Sequence, residues 1–277
     1  MTLGSILRAV IVCGASLGTT RADDPKPTPP AIPKASNPDA VTAPVVVKVT
    51  AADAPANGAE LFPKVAADAR QVLVKNRDYV AHFVRQERVN DTLQPEQSGE
   101  IRVRATPFAI AVKLLAPKDA AGWETVFATG KRDDKARFKP AGKAGLRGFR
   151  TVATDSAEAM AGTRHPITGV GLLAILERCE KVIAAEKRQK NPVQVTVAEY
   201  TFHGRPCQRF DIYADRPHPT RYCQHAVLFV DTATKLPVRY EAYDAPKTGE
   251  AVGELIEMVS FVNVKLNAGL GNAAFDK

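Results

Sequence analysis

Three groups of side chains in this 277-residue chain are of types that could do chemistry. His203-x3-Cys207 lies upstream of Cys223-x-His225, with His218 between them. Imidazole and thiolate ligands carried on paired strands could hold zinc. The same cysteines could stay reduced, or they could close a Cys207–Cys223 disulfide in an oxidising compartment. Cysteine spacing favours the disulfide and leaves Cys179 over as a small buried hydrophobe. The second group is Arg164-His165-Pro166. An imidazole there could act as a base or contact a ligand. Arg164 could meet an acidic headgroup, or pair with Asp155 or Glu158. The third is Gln86-Glu87-Arg88, where Glu87 with Glu96 or Glu100 would form a carboxylate pair. Strand alternation reads Glu87 instead as a charge on a solvated face.

None of the three completes a catalytic pattern. There is no phosphate-binding loop, no dinucleotide-binding glycine run after a strand, no His-Glu-x-x-His and no Gly-x-Ser-x-Gly. No nucleophile stands beside His165. No cofactor is implied, no metal is assigned, and a non-catalytic protein is preferred over an enzyme.

The elements that must position these groups are mostly strands. Gly99–Leu115 alternates apolar and polar residues on both sides of Thr106-Pro107, the pattern of an antiparallel hairpin with one apolar face. Tyr79–Val89, Glu124–Ala128 and Lys135–Lys139 read as further strands. So do Val195–His203, Cys207–Tyr213, Ala226–Asp231, Pro237–Tyr243 and Glu254–Val264. Leu61–Lys75 and Ile167–Glu186 carry apolar residues at helical spacing, with Pro166 suited to the first turn of the second helix. The basic, glycine-rich run Lys139–Gly148 reads as a loop. Runs of strands joined by short turns predict an α+β fold, an antiparallel sheet with helices on one side.

The N-terminus reads as an export signal over residues 1–22, with Arg8, the apolar run Ala9–Leu17 and the small-x-small site Thr20-Arg-Ala22. That run is too short to span a bilayer, and no other stretch of the mature chain is long enough. Cys13 raises lipidation, but Val12 stands where a small residue would be needed. Residues 23–60 are rich in Pro and Ala and read as a disordered tether. Residues 61–277 form the single folded domain. The net charge of +8 falls to +6 once Arg8 and Arg21 leave with the signal. It is spread along the chain without recognition-helix context, so nucleic acid is excluded as a partner.

Several segments together resemble a known family: Phe83–Asn90, Ile101–Lys113, Arg164-His-Pro-Ile-Thr-Gly-Val-Gly-Leu-Leu173, Thr234–Tyr240 and Phe261–Asn267 with Phe275-Asp276. The pattern is similar to the exported bacterial family called domain of unknown function 1571, with Arg164–Ile167 its most specific part. The strand order also resembles the wider lipoprotein-carrier (LolA-like) architecture. That resemblance implies an incomplete, curved antiparallel barrel with two main helices on its concave side. It implies an exported protein of the periplasm or cell envelope, or one secreted, that shelters a lipid, a lipoprotein acyl chain or another hydrophobic ligand. The expected lining is Phe83, Phe108, Ile110, Val112, Trp123, Leu172 and Leu176, with Arg164 and His165 beside it. Two other readings stand against this one. One is an envelope hydrolase or metal-dependent enzyme using His165, Glu87 and the Cys207/His225 group. The other is a scaffold that shows a surface to an envelope protein partner.

Overall fold

The computed structural model describes residues 58–214 and 221–277. The expected signal (1–22) and nearly all of the expected tether lie outside these residues, as does His218. The tether's last three residues belong to the first helix, α1 (Gly58–Lys75). Twelve strands follow or flank the two helices: β1 (Asp78–Val89), β2 (Thr92–Leu93), β3 (Gln97–Arg104), β4 (Ala109–Ala116), β5 (Glu124–Ala128), β6 (Ala136–Lys139) and β7 (Arg150–Val152) precede α2 (Leu172–Arg188); β8 (Val193–Phe202), β9 (Arg205–Ala214), β10 (His225–Asp231), β11 (Pro237–Tyr243) and β12 (Leu255–Leu266) come after it.

Apart from β2, which only extends the β1 hairpin, the strands form one antiparallel sheet in the order β7-β6-β5-β4-β3-β1-β12-β11-β10-β9-β8. The order is two meanders, joined where β12 returns beside β1. β7 and β8 are the two edges and do not pair with each other, so the sheet is open, the incomplete barrel that the resemblance implied. The period-two alternation decides the faces. The register Phe83↔Phe261, Phe83↔Gly99, Ile101↔Val112 and Leu228↔Tyr240 puts one apolar row on one face, here the inner face. The two helices pack on that side. Phe62 of α1 meets Phe210 edge-on at 5.6 Å, and Leu172, Ile175, Leu176 and Cys179 of α2 are fully buried. Arg70 joins the helices through an ion pair with Glu180.

The second helix begins later than its sequence suggests. Residues 153–171 are not helical apart from a single 3₁₀ turn at Ile167–Gly169, and α2 starts only at Leu172. Gly171 sets that start. Its φ of +110° suits glycine alone, and a Cβ there would lie 2.6 Å from the Tyr79 hydroxyl. That hydroxyl instead accepts the free Leu172 N–H at 2.9 Å. His165 therefore sits in a strap, seven residues before the first residue of the helix.

On the outer face, small side chains at Ala109 and Ala128 leave room for Phe275, which is buried against them and Val126. Asp78 fixes the tail's return by accepting the Gly269 and Leu270 amides at 3.2 and 2.9 Å. Among the described residues no helix is long and apolar enough to cross a membrane.

Candidate functional site: a strapped apolar cavity

Strand parity places an unusual row on the inner face of β1. Phe83, Arg85 and Glu87 alternate onto the same side, opposite Phe261, Val259 and Glu257 of β12. Two acids and an arginine thus share a face with the apolar core. The expectation that Glu87 lies on a solvated face is corrected: it is 7% exposed and points inward. Its carboxylate neighbour is Glu257, not Glu96 or Glu100; Glu100 is opposite His82 on the outer face.

Residues 153–171 cross above this row. The segment leaves β7 at its Ala136 end and reaches Glu87 with residues 163–165. It then returns to Tyr79 at Gly171. Its backbone bonds are local turns, such as Met160 N–H to Ser156 O at 2.9 Å and Gly169 N–H to Pro166 O at 2.8 Å. Ile167 and Val170 pack on the core from above, and the rest of its attachment is polar. The Arg164 amide donates to Glu87 Oε2 at 3.1 Å, and the Arg164 guanidinium to the Arg88 carbonyl at 2.7 Å. Arg85 donates to Thr163 Oγ1 at 3.1 Å, and Arg178 of α2 to the Gly169 carbonyl at 2.8 Å. His165 Nε2 donates to Glu257 Oε2 at 2.8 Å.

Glu257 is the hub. Its side chain is 2% exposed and receives His165, the Tyr222 hydroxyl at 2.5 Å and the Arg178 charge at 3.4 Å. Burial pushes its pKa up, but the bonds from His165 and Tyr222 and the Arg178 charge outweigh that and hold it below the ordinary carboxylate range. The Tyr222 hydroxyl is pushed far up by burial and by the Glu257 charge, so it stays a donor. Arg164 stacks on the Tyr222 ring at 5.3 Å rather than pairing with Asp155 or Glu158.

Between strap and sheet lies a cavity of about 50 Å³. The sheet contributes Phe83, Ile101, Val112, Thr125 and Phe261, with Trp123 from the turn before β5. The strap contributes Ala159, Thr163, His165, Ile167 and Val170, and α2 adds Ile175 and Arg178. Glu87, Arg85 and His165 close one end. The Thr125 hydroxyl is buried in this wall without a hydrogen-bond partner among the described residues. A hole of this size takes only a few atoms, since an apolar cavity of roughly 150 Å³ is needed for benzene.

The residues singled out from sequence divide on this geometry. Phe83, Val112, Trp123 and His165 stand in the wall. Arg164 lies beside it and ties the strap. Ile110, Leu172 and Leu176 are buried in the continuous core instead, and Phe108 packs on Phe127 at 6.0 Å. Glu257, Arg85, Arg178 and Tyr222 were not singled out. The signal for the first two was an ionisable residue on the apolar parity of a strand.

Among the described residues, Cys207, Cys223 and His225 do not converge. Cys207 shares the outer face with Arg209 and Asp211, whereas Cys223 lies on the inner side near Cys179 and Tyr240. The expected Cys207–Cys223 disulfide is therefore corrected: both are free thiols, and the sheet separates them. Burial raises Cys207 to about 11 and Cys223 to about 12, which leaves both protonated and poor metal ligands. His225 is committed elsewhere, bonded to Asp211 at 2.8 Å and stacked on Tyr213 at 4.0 Å. Among the described residues, the cluster with metal-ligand spacing is Glu87, His165 and Glu257, whose ligand atoms lie within 4.8 Å of one another.

Residues 76–277 match the family described as protein of unknown function (DUF1571), and the chain belongs to that family. No curated protein matches the chain. Among solved structures it is similar to the Mycobacterium tuberculosis lipoprotein LppX, with 13% identity over 76% of this chain and 98% of that one and a TM-score of 0.41. It is also similar to a DUF1329 family protein from Desulfovibrio piger, with 13% identity, 79% and 97% covered and a TM-score of 0.40. A LolA superfamily protein from Nitrosomonas europaea is 9% identical, with 78% and 97% covered and a TM-score of 0.32.

Proposed function

We propose that this chain is an exported cell-envelope protein that shelters an apolar group of a ligand between its sheet and the strap, making and breaking no bond. One observation carries the reading: an apolar cavity is closed by a segment that buries little of its own surface and is tied to the sheet and α2 through side-chain polar bonds. Such bonds are worth about 1 kcal/mol each, somewhat more with a charged partner, because water competes for the same groups. The cavity as it stands is too small for an acyl chain. Lifting the strap would turn it into a groove floored by Phe83, Ile101 and Val112, and a lipid or a lipoprotein acyl chain is the chemistry that fits such a floor.

Native mass spectrometry of the chain purified from a bacterial periplasm, followed by organic extraction, tests this. The expected result is a bound apolar mass that Val112→Trp, which fills the cavity, removes while the fold is kept. A clean mass with no shift on adding fatty acid would overturn the reading and leave the scaffold.

A second reading rests on the spacing of Glu87, His165 and Glu257, which would suit a metal-dependent hydrolase. Both carboxylates already face cations, Arg85 at 3.8 Å and Arg178 at 3.4 Å, and a metal would have to displace them. The same spectrum with added zinc decides: a one-zinc shift lost in His165→Ala supports the metal reading.

A further inference from the structure

We infer that the loop between β6 and β7 docks this protein on an anionic lipid surface with the cavity's rim facing the bilayer. The residues from Lys139 to Arg150 contain Lys139, Lys143, Arg147 and Arg150 and no acid. Two of these cations are engaged within the fold. Lys139 reaches Glu124 at 3.4 Å, and Arg150 pairs with Glu158. Lys143 and Arg147 are exposed and make no ion pair among the described residues. Between them, on the 3₁₀ turn Gly142–Arg147, stands Leu146, 87% exposed. A leucine that far out in water gains nothing for the fold. One apolar side chain at a loop tip, flanked by unpaired cations, is the chemistry of the membrane interface, where the cations meet lipid phosphates and the side chain enters the acyl boundary.

Strand register places this loop. Glu124↔Lys139, Lys113↔Glu124, Arg85↔Gln97 and Glu87↔Glu257 run across the sheet at one end. The loop therefore shares its rim with the Glu87 end of the cavity. Leu115, 45% exposed at the end of β4, lies on the same rim. Lys118 and Asp119 after it offset each other, so that turn adds apolar area rather than charge. A protein partner would need a broad complementary patch. A bilayer needs only this tip, and vesicle binding does not require an occupied cavity, so the inference stands apart from the carrier reading.

The test is flotation of the full chain with phosphatidylcholine vesicles, with and without phosphatidylglycerol, at low and high salt. The expected result is binding to the anionic vesicles only, weakened by salt. Lys143→Glu with Arg147→Glu should lower partitioning about tenfold or more. Leu146→Ser should lower it roughly threefold while keeping the salt dependence. Unchanged thermal melts would show both variants folded. Equal binding to neutral vesicles, no binding, or variants that bind like the unaltered chain would each overturn the inference, the last by pointing to another segment.

Discussion

The inner face of the sheet is closed in two ways. Over β8–β11 it is closed by α1, whose Phe62 meets Phe210, and by α2, whose Leu172, Ile175, Leu176 and Cys179 sit at helical spacing and share one core with Phe210, Ile212, Leu228 and Tyr240, all buried. Over β12, β1, β3 and β4 it is closed by the strap, which from residue 153 to 170 buries only Thr163. The helix satisfies its own backbone, so its side chains are free to pack. The strap has no ladder, and it borrows Glu87, Glu257, Arg85 and Arg178 from the sheet and α2. Close packing buries the inward side chains of the first region and leaves an open groove only at its margin, between α1, α2 and the start of β8, whereas polar tethering leaves a cavity beneath the strap itself in the second. Interfaces held by few apolar contacts open at low free energy, and sites that admit ligands are drawn from that end.

Substitutions that separate the two regions sharpen the comparison. The largest effect belongs to the packed side. Leu176→Ala should cost about 2–5 kcal/mol, read by chemical denaturation, through lost burial and the cavity left behind. A loss as small as that of a surface change would break the contrast. Next is Glu257→Gln, which keeps the shape but removes the charge that His165, Tyr222 and Arg178 address. It should cost about 1–3 kcal/mol and free the strap with little effect on α2. A cost equal to that of Leu176→Ala, with α2 loosened alike, would mean that the strap and the core are one cooperative unit.

The smallest effect is in acid. Glu257 has a lowered pKa in the folded chain, so its stabilising contribution is complete above the ordinary value near 4.5 and is lost as pH falls through the lowered one. Stability measured between neutral pH and about pH 3 should therefore decline more steeply for the unaltered chain than for Glu257→Gln. Parallel slopes would remove Glu257 from the account.

The strands were legible because alternation writes itself directly on one face. Pro237–Tyr243 and Glu124–Ala128 match residue for residue. Short edge pieces such as Arg150–Val152 carry too few residues for a period to show. The end of the strap, residues 167–171, was misread as helix because Ile167 and Val170 continue the helical spacing of Leu173 and Leu176. The break comes from Gly171 against Tyr79, a tertiary contact. The site was half legible for a similar reason. His165 and Glu87 stood out by type, but Glu257 sits inside Leu255-Ile-Glu-Met-Val259, where only the parity shared with Val259 and Phe261 marks it as inward. The cysteine pairing failed because spacing along the chain does not say which face of a sheet a residue takes.

Amide hydrogen exchange across residues 156–170 and 175–182 of the unaltered chain tests the strap most directly. Strap amides should exchange by local opening, faster than those of α2; Glu257→Gln should speed the strap alone, and α2 amides should exchange only with global unfolding. One shared exchange free energy for both segments, shifted equally by Glu257→Gln, would contradict this.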